Sequence, residues 1–83
     1  MKPSDALQLH RNEIRRVVEQ YGARNPRVFG SVVHGDDTDG SDLDLLVDPI
    51  EGMTTLTSLV RIKREIELLT GVATDVLTPM ALH

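Results

Sequence analysis

The 83-residue chain has no cysteine and no tryptophan, and Tyr21 and Phe29 are its only aromatic residues. The absence of cysteine excludes disulfide bonds and metal sites built on thiolates. Because aromatic residues are so scarce, we expect a core of aliphatic side chains. No apolar run approaches the roughly 20 residues needed to span a bilayer, and the N-terminus lacks the apolar stretch of a signal peptide. We therefore expect a cytoplasmic protein without membrane contact.

The charge balance is acidic, with a formal net charge of −4. This balance opposes sequence-independent binding to nucleic acid, which depends on neutralising many phosphates, so we expect no direct nucleic-acid binding. A content of 40% hydrophobic and 27% charged residues is typical of a globular protein. No internal repeat or low-complexity linker divides the chain, which predicts a single domain over residues 1–83.

Five secondary-structure elements are predicted. A first helix has Ser4 as its N-cap and stops at Gly22. A turn at Arg24-Asn25 precedes a short strand, "RVFGS", and a second strand follows in "SDLDLLVDP". A long helix covers Thr54–Gly71, and a last strand covers Val72–Pro79. The order predicts a small α+β (α/β-type) domain with a mixed sheet of about three strands flanked by two long helices.

The long helix carries a broad apolar face, made of Leu56, Leu59, Val60, Ile62, Ile66, Leu68 and Leu69. Three basic residues beside it, Arg61, Lys63 and Arg64, are expected to be solvated. An apolar strip starting at Leu7 or at Leu56 would mark a partner surface if it stayed exposed.

Seven carboxylates lie between Asp36 and Glu51, with no lysine or arginine among them. Asp42 and Asp44 stand two residues apart on a predicted strand, so their side chains share a face, roughly 6–7 Å apart. Such a pair suits Mg²⁺, which takes one or two carboxylates and completes its shell with water and phosphate oxygens. The alternative is a polar strand end that has reached solvent.

Upstream, Gly30-Ser31 follows a strand. Glycine allows the backbone to approach a phosphate closely, and a serine hydroxyl with consecutive backbone N–H groups can bind an anion. The alternative is an ordinary turn. A calcium-binding EF-hand loop is excluded, because aligning its glycine with Gly40 puts Leu46 where a glutamate is required.

Gly30-Ser31, ten residues, and then Asp42-Leu43-Asp44 resembles the G-S-x10-D-x-D signature of polymerase-β-like nucleotidyltransferases. The flanking "RVFGS" and "SDLDLLV" are similar to the minimal nucleotidyltransferase (MNT) branch, and the resemblance extends from about Tyr21 to Thr78. It implies the nucleotidyltransferase fold.

The resemblance also implies roles for individual residues. Gly30 and Ser31 would hold the terminal phosphates of ATP, and Asp42 and Asp44 would bind Mg²⁺. A third carboxylate from a later strand completes such a site of two Mg²⁺ ions. Here that position corresponds to Asp75. The alternative is that Asp75 is an ordinary aspartate at the edge of a strand. The signature matches none of the other carboxylates, so Asp48 and Glu51 are expected to be solvated and Asp36, Asp37 and Asp39 to be loop charges.

By the same resemblance, the chain would transfer AMP from ATP to a tyrosine hydroxyl of a cognate HEPN-type RNase toxin. It would then be the antitoxin of that pair and part of a hetero-oligomer. Two alternatives remain open: a non-catalytic antitoxin that occludes its toxin, and a subunit that modifies a small molecule. One departure bears on catalysis, since family members often carry arginine where this chain has Val32-Val33-His34.

Overall fold

A computed structural model of the chain describes residues 1–79, apart from the side chain of Ser31. The elements are α1 (Pro3–Leu9), α2 (Arg11–Gln20), β1 (Ala23–Phe29), α3 (Ser31–His34), β2 (Leu43–Pro49), α4 (Leu56–Thr70) and β3 (Thr74–Leu77). In the sheet β2 is central, antiparallel to β1 and parallel to β3. The predicted α+β fold with a mixed three-stranded sheet is confirmed. The prediction of one domain over residues 1–83 stays a prediction, because residues 80–83 lie outside the described part.

The two longer helices, α2 and α4, pack against each other and against the strands at the two edges of the sheet. Leu43, Leu45 and Val47 of β2 point into this interface and are fully buried. Because side chains alternate along a strand, Asp44, Leu46 and Asp48 point to the opposite face. The core consists of Ala6, Ile14, Val18, Ala23, Leu43, Leu45, Val47, Ile62, Ile66 and Val72, which is aliphatic throughout, as expected.

Helix α4 ends at Gly71 as its sequence predicts, and it begins at Leu56, slightly later than the predicted start at Thr54. The Thr55 hydroxyl accepts the Ser58 N–H, and the Ser58 hydroxyl accepts the Thr55 N–H, which forms a capping box. At the other end Gly71 takes a left-handed conformation with φ +72° and its N–H donates to the Glu67 carbonyl. The connection from β2 to the parallel strand β3 is therefore a well-capped helix.

The buried face of α4 is narrower than predicted. Ile62 and Ile66 are fully buried, whereas Leu56 and Leu68 are each 77% exposed and Val60 is 53% exposed. A two-layer domain covers a helix on one side only, so the flanks of a broad apolar face remain in solvent. None of the helices within residues 1–79 is long and apolar enough to cross a membrane.

The N-terminal helix differs from the prediction in two respects. It is interrupted at His10, which leaves α1 and α2 as separate helices. Ser4 is also not the N-cap, because that position belongs to Lys2. Instead, the Ser4 backbone N–H donates to Asp37 Oδ2 at 2.8 Å, so a carboxylate from the acidic segment satisfies the first turn of α1. Asp37 is therefore a structural contact and not only a loop charge.

Strand β1 is longer than "RVFGS" and includes Pro26, which the sequence placed after a turn. Asn25 has φ +55°, and the register with β2 is irregular between Arg24 and Arg27. Proline has no backbone N–H to donate. An edge strand such as β1 tolerates it at an irregularity because a residue whose N–H would point away from the sheet makes no hydrogen bond to the neighbouring strand.

Asp48 is fixed at this irregularity rather than solvated as expected. Its carboxylate accepts hydrogen bonds from Arg27 Nη1 at 2.8 Å and from Asn25 Nδ2 at 3.0 Å. These hydrogen bonds lower the pKa of Asp48, Asn25 contributing the larger part and Arg27 the next. The irregular end of β1 is thereby held against β2.

Candidate functional site

The close approach of Gly30 to Asp44 defines one side of the site. Phe29, the last residue of β1, lies opposite Asp44 in the antiparallel register, and Gly30 follows with φ +76°. A Cβ added to Gly30 would overlap Asp44 Oδ2 and would lie 3.3 Å from Asp44 Cγ. Only glycine lets the backbone turn here and lie directly against the carboxylate.

Asp75 defines the other side of the site. In the parallel pairing of β2 with β3, Asp75 is the register partner of Asp44, although the two are about thirty residues apart in sequence. Register partners on adjacent strands point to the same face, with backbones about 4.8 Å apart. Both carboxylates therefore lie on the sheet face opposite α2 and α4. Asp44 is half-buried and Asp75 is exposed.

Asp42 lies just before the first residue of β2 rather than within the strand, and its side chain is exposed. It still acts on the same site. Burial raises the pKa of the Asp44 carboxyl, and the negative charges of Asp75 and Asp42 raise it further. The Asp44 carboxyl thus experiences the negative charges of both other aspartates.

These carboxylates make no ion pair and no side-chain hydrogen bond with the other side chains that the structure describes. Within residues 1–79, no three histidine, aspartate or glutamate side chains converge closely enough to form a ready-made metal site. The donor set nonetheless fits Mg²⁺, because it offers hard oxygen ligands with open positions around them. A divalent cation would also relieve the like-charge repulsion that Asp44 experiences.

A single-turn helix, α3, follows Gly30 directly and was not predicted from the sequence. The Val33 N–H donates to the Gly30 carbonyl at 3.1 Å, which closes this turn. Val32 is half-buried, while Val33 and His34 are exposed. The predicted phosphate contact of the Ser31 hydroxyl lies outside the described side chains.

Glu67 links α4 to the start of β3, beside Asp75, and the sequence did not single it out. Its Oε2 accepts the Thr74 backbone N–H at 3.0 Å and Lys63 Nζ at 2.8 Å. The i, i+4 spacing of Lys63 and Glu67 was the available signal, but it predicts only a helix-surface pair. Arg61 and Arg64 line a different hollow on α4.

Comparison with known proteins points to one family. Residues 11–83 match the family model described as a nucleotidyltransferase domain. The chain is 37% identical over 76 residues to a Methanocaldococcus jannaschii protein provisionally named a protein adenylyltransferase, covering 87% of this chain and 81% of that protein. It is 34% identical over 76 residues to the protein adenylyltransferase MntA of Thermococcus cleftensis, covering 92% and 73%.

A solved structure, provisionally described as a minimal nucleotidyltransferase, is similar in fold as well. It matches with a TM-score of 0.83 and 38% identity over 96% of this chain and 81% of that one. Sequence and fold therefore agree over the span that holds Gly30, Asp42, Asp44 and Asp75.

Proposed function

Since this chain belongs to the nucleotidyltransferase domain family and is an enzyme of that type, we propose that it transfers AMP from ATP to a hydroxyl group on a protein. The observation that carries the proposal is the pairing of Asp44 with Asp75 on an open sheet face, with Gly30 lying against Asp44. The names of the two curated relatives support a protein as the acceptor.

Asp42, Asp44 and Asp75 are the residues that would hold Mg²⁺, as two ions, and Gly30 with Ser31 would hold the terminal phosphates. When bound, Mg²⁺ would neutralise charge on the transferring phosphate and on the attacking oxygen. The close approach of the Gly30 backbone to Asp44 supports this arrangement, because it puts the residue that would bind phosphate directly beside a residue that would bind the metal.

The strand order indicates on which side of the site the pyrophosphate end of ATP and the acceptor would lie. Gly30 lies on the β1 side of Asp44 and Asp75 lies on its β3 side. The pyrophosphate end of ATP would thus lie toward β1 and the acceptor toward β3. The acceptor oxygen bonds to the α-phosphorus, the bond from that phosphorus to the bridging oxygen breaks, and pyrophosphate leaves. Asp75 would take the hydroxyl proton, and its exposure on that side of the site supports this role.

The acceptor we propose is a tyrosine of a cognate HEPN-type RNase toxin, silenced by the added AMP in the cytoplasm. The exposed apolar side chains of α4, Leu56 and Val60 with the neighbouring Met53, support a partner surface on this helix. The other apolar strip suggested by the sequence starts at Leu7, but the Leu7 side chain is half-buried against the core.

The test is incubation of the protein with labelled ATP, Mg²⁺ and the toxin. We expect toxin labelling by the wild type and none by the double variant Asp42→Ala with Asp44→Ala. The matched control is Asp36→Ala with Asp39→Ala, which removes the same charge from exposed positions of the same segment and should retain labelling. Labelling that survives the loss of Asp42 and Asp44 would show that the proposed site is wrong.

Occlusion of the toxin without chemistry is the second candidate. Val32-Val33-His34 favours it, because no arginine stands in this segment to meet the triphosphate. If the Asp42→Ala, Asp44→Ala protein still protects cells from the toxin at equal expression, binding alone accounts for neutralisation. Labelling of small hydroxyl compounds in place of the toxin would instead support a small-molecule transferase.

A further inference from the structure

Asp75 depends on a short strand for its position. Strand β3 has four residues, Thr74–Leu77, and β2 is its only strand neighbour among residues 1–79, so it lies at an edge of the sheet described here. Thr74 is 1% exposed and points toward the helices, whereas Asp75, the next residue, points to the open face. Any shift of the backbone at Thr74 therefore moves the Asp75 carboxylate relative to Asp44.

The backbone at this point is held from both sides. On the β2 side, the Leu43 N–H donates to the Ala73 carbonyl at 2.8 Å. On the outer side, the Thr74 N–H donates to Glu67 Oε2 at 3.0 Å. On an edge strand, an N–H that points outward would otherwise bond to solvent. Here the Thr74 N–H is instead satisfied by a side chain of α4.

Lys63 orients the carboxylate that makes this contact. Its Nζ donates to the same Oε2 atom of Glu67 at 2.8 Å, from one helical turn earlier. The Lys63 hydrogen bond, followed by that of the Thr74 N–H, lowers the pKa of Glu67. The hydrogen bond to Glu67 raises the pKa of Lys63, and the negative charges of Glu67, Asp75 and Asp42 raise it further.

We propose that Glu67 is a positioning residue for Asp75: it fixes the start of β3 through the Thr74 N–H, and Lys63 holds Glu67 in the orientation that this requires. The inference rests on the proposed role of Asp75 in metal binding and AMP transfer. Metal sites are sensitive to residues that orient their ligands, and losing such a residue typically costs about 10–100-fold in metal affinity or activity.

Two substitutions distinguish the effect of the length of the Glu67 side chain from the effect of its charge. Glu67→Gln removes the charge but keeps an oxygen at the same distance for the Thr74 N–H. Glu67→Asp keeps the charge but shortens the side chain by one methylene and withdraws that oxygen. The control Glu65→Asp makes the same change at an exposed position on the same helix.

The first measurement is the affinity for Mn²⁺, used as a paramagnetic probe of the carboxylate site and read by electron paramagnetic resonance. The second is kcat and KM for ATP in toxin labelling. We expect Glu67→Asp to weaken Mn²⁺ binding and lower kcat by about tenfold or more, with KM for ATP within about threefold of wild type because Gly30-Ser31 lies on the far side of the site. For Glu67→Gln, the Mn²⁺ affinity, kcat and KM for ATP should each stay within about threefold of the wild type. Glu65→Asp should match the wild type in all three quantities.

Hydrogen exchange of the Thr74 amide, measured by NMR, reports the contact itself and should accelerate in Glu67→Asp but not in Glu67→Gln. Faster exchange with unchanged Mn²⁺ affinity would mean that Glu67 only stabilises the fold, and it would overturn the proposal. Loss of affinity in Glu67→Gln but not in Glu67→Asp would overturn it in favour of a charge effect. If the wild type transfers no AMP while the Mn²⁺ affinities follow the expected order, the proposed function fails and the positioning role stands.

Discussion

Replacing Gly30 by alanine tests whether the close approach to Asp44 matters for catalysis or only for the turn. Gly30 and Gly52 both have positive φ, +76° and +79°, so alanine at either position costs about 1–2 kcal/mol of conformational strain. Each kcal/mol lowers Tm by about 4–8 °C in a domain of this size. From backbone strain alone, the two variants should be destabilised to a similar degree.

The surroundings of the two added methyl groups differ. A Cβ at Gly52 meets no atom within 4 Å, whereas a Cβ at Gly30 overlaps Asp44 Oδ2. Asp44 has a short side chain, so its carboxylate must rotate or shift to make room. Displacing a catalytic group by about 1 Å can cost on the order of 100-fold in rate. We therefore expect Gly30→Ala to lose about 10–100-fold in kcat and Gly52→Ala to keep wild-type activity per folded molecule.

The assay combines thermal unfolding by circular dichroism with labelling of the toxin, under conditions where each variant is fully folded. Equal activity of Gly30→Ala and Gly52→Ala would refute the reasoning, since the methyl group would then be accommodated without moving Asp44. A second check is the stability cost of Gly30→Ala in an Asp44→Ala background. There only the Asp44 Cβ remains, 3.6 Å from the added atom, and the cost should fall to that of Gly52→Ala.

Further expected outcomes concern stability. Ile66→Ala should cost about 2–5 kcal/mol in urea denaturation because Ile66 is fully buried, while Leu68→Ala, at a mostly exposed position of the same helix, should change stability by less than about 0.5 kcal/mol. Asp48→Asn should lower Tm at pH 7, and the difference from wild type should shrink as the pH falls below about 4. This sign follows because the pKa of Asp48 is lowered in the fold, so its stabilisation is present above the unfolded pKa and is lost on protonation; a difference that persists in acid would contradict it. Asp37→Ala should lower Tm by removing the acceptor at the start of α1, whereas Asp36→Ala should leave Tm unchanged, and equal effects would argue against the capping contact.

Local signals in the sequence predicted the elements that hold the site. The caps of α4 at Thr55 and Gly71 are local chemistry, so its limits follow from neighbouring residues. Strand β2 is a mostly apolar segment that ends at a proline, and this local pattern predicted the strand around Asp44. Period-2 geometry predicted the face of Asp44, but it does not apply to Asp42, which lies before the strand.

What the sequence did not predict depends on contacts between distant residues. Asp37 meets Ser4 across 33 positions of sequence, and nothing near either residue indicates the other. The irregularity in β1 that accommodates Pro26 likewise depends on Asp48 of the neighbouring strand. The break at His10 interrupts an apolar periodicity that continues on both sides, so the pattern alone predicts one helix. For Glu67, the sequence predicts only an ion pair with Lys63 on the helix surface. Its second contact, with the Thr74 N–H, lies on β3 and has no local sequence signal.

The parallel pairing of Asp44 with Asp75 also makes the site depend on a contact between distant parts of the chain. The β1–β2 pair is local and joins Gly30 to Asp44, but the third carboxylate reaches the site only because α4 brings β3 back to the sheet. Closing such a long connection is slower than pairing neighbouring strands. The capacity to bind metal through all three carboxylates should therefore require the same packing of α4 that buries Ile62 and Ile66.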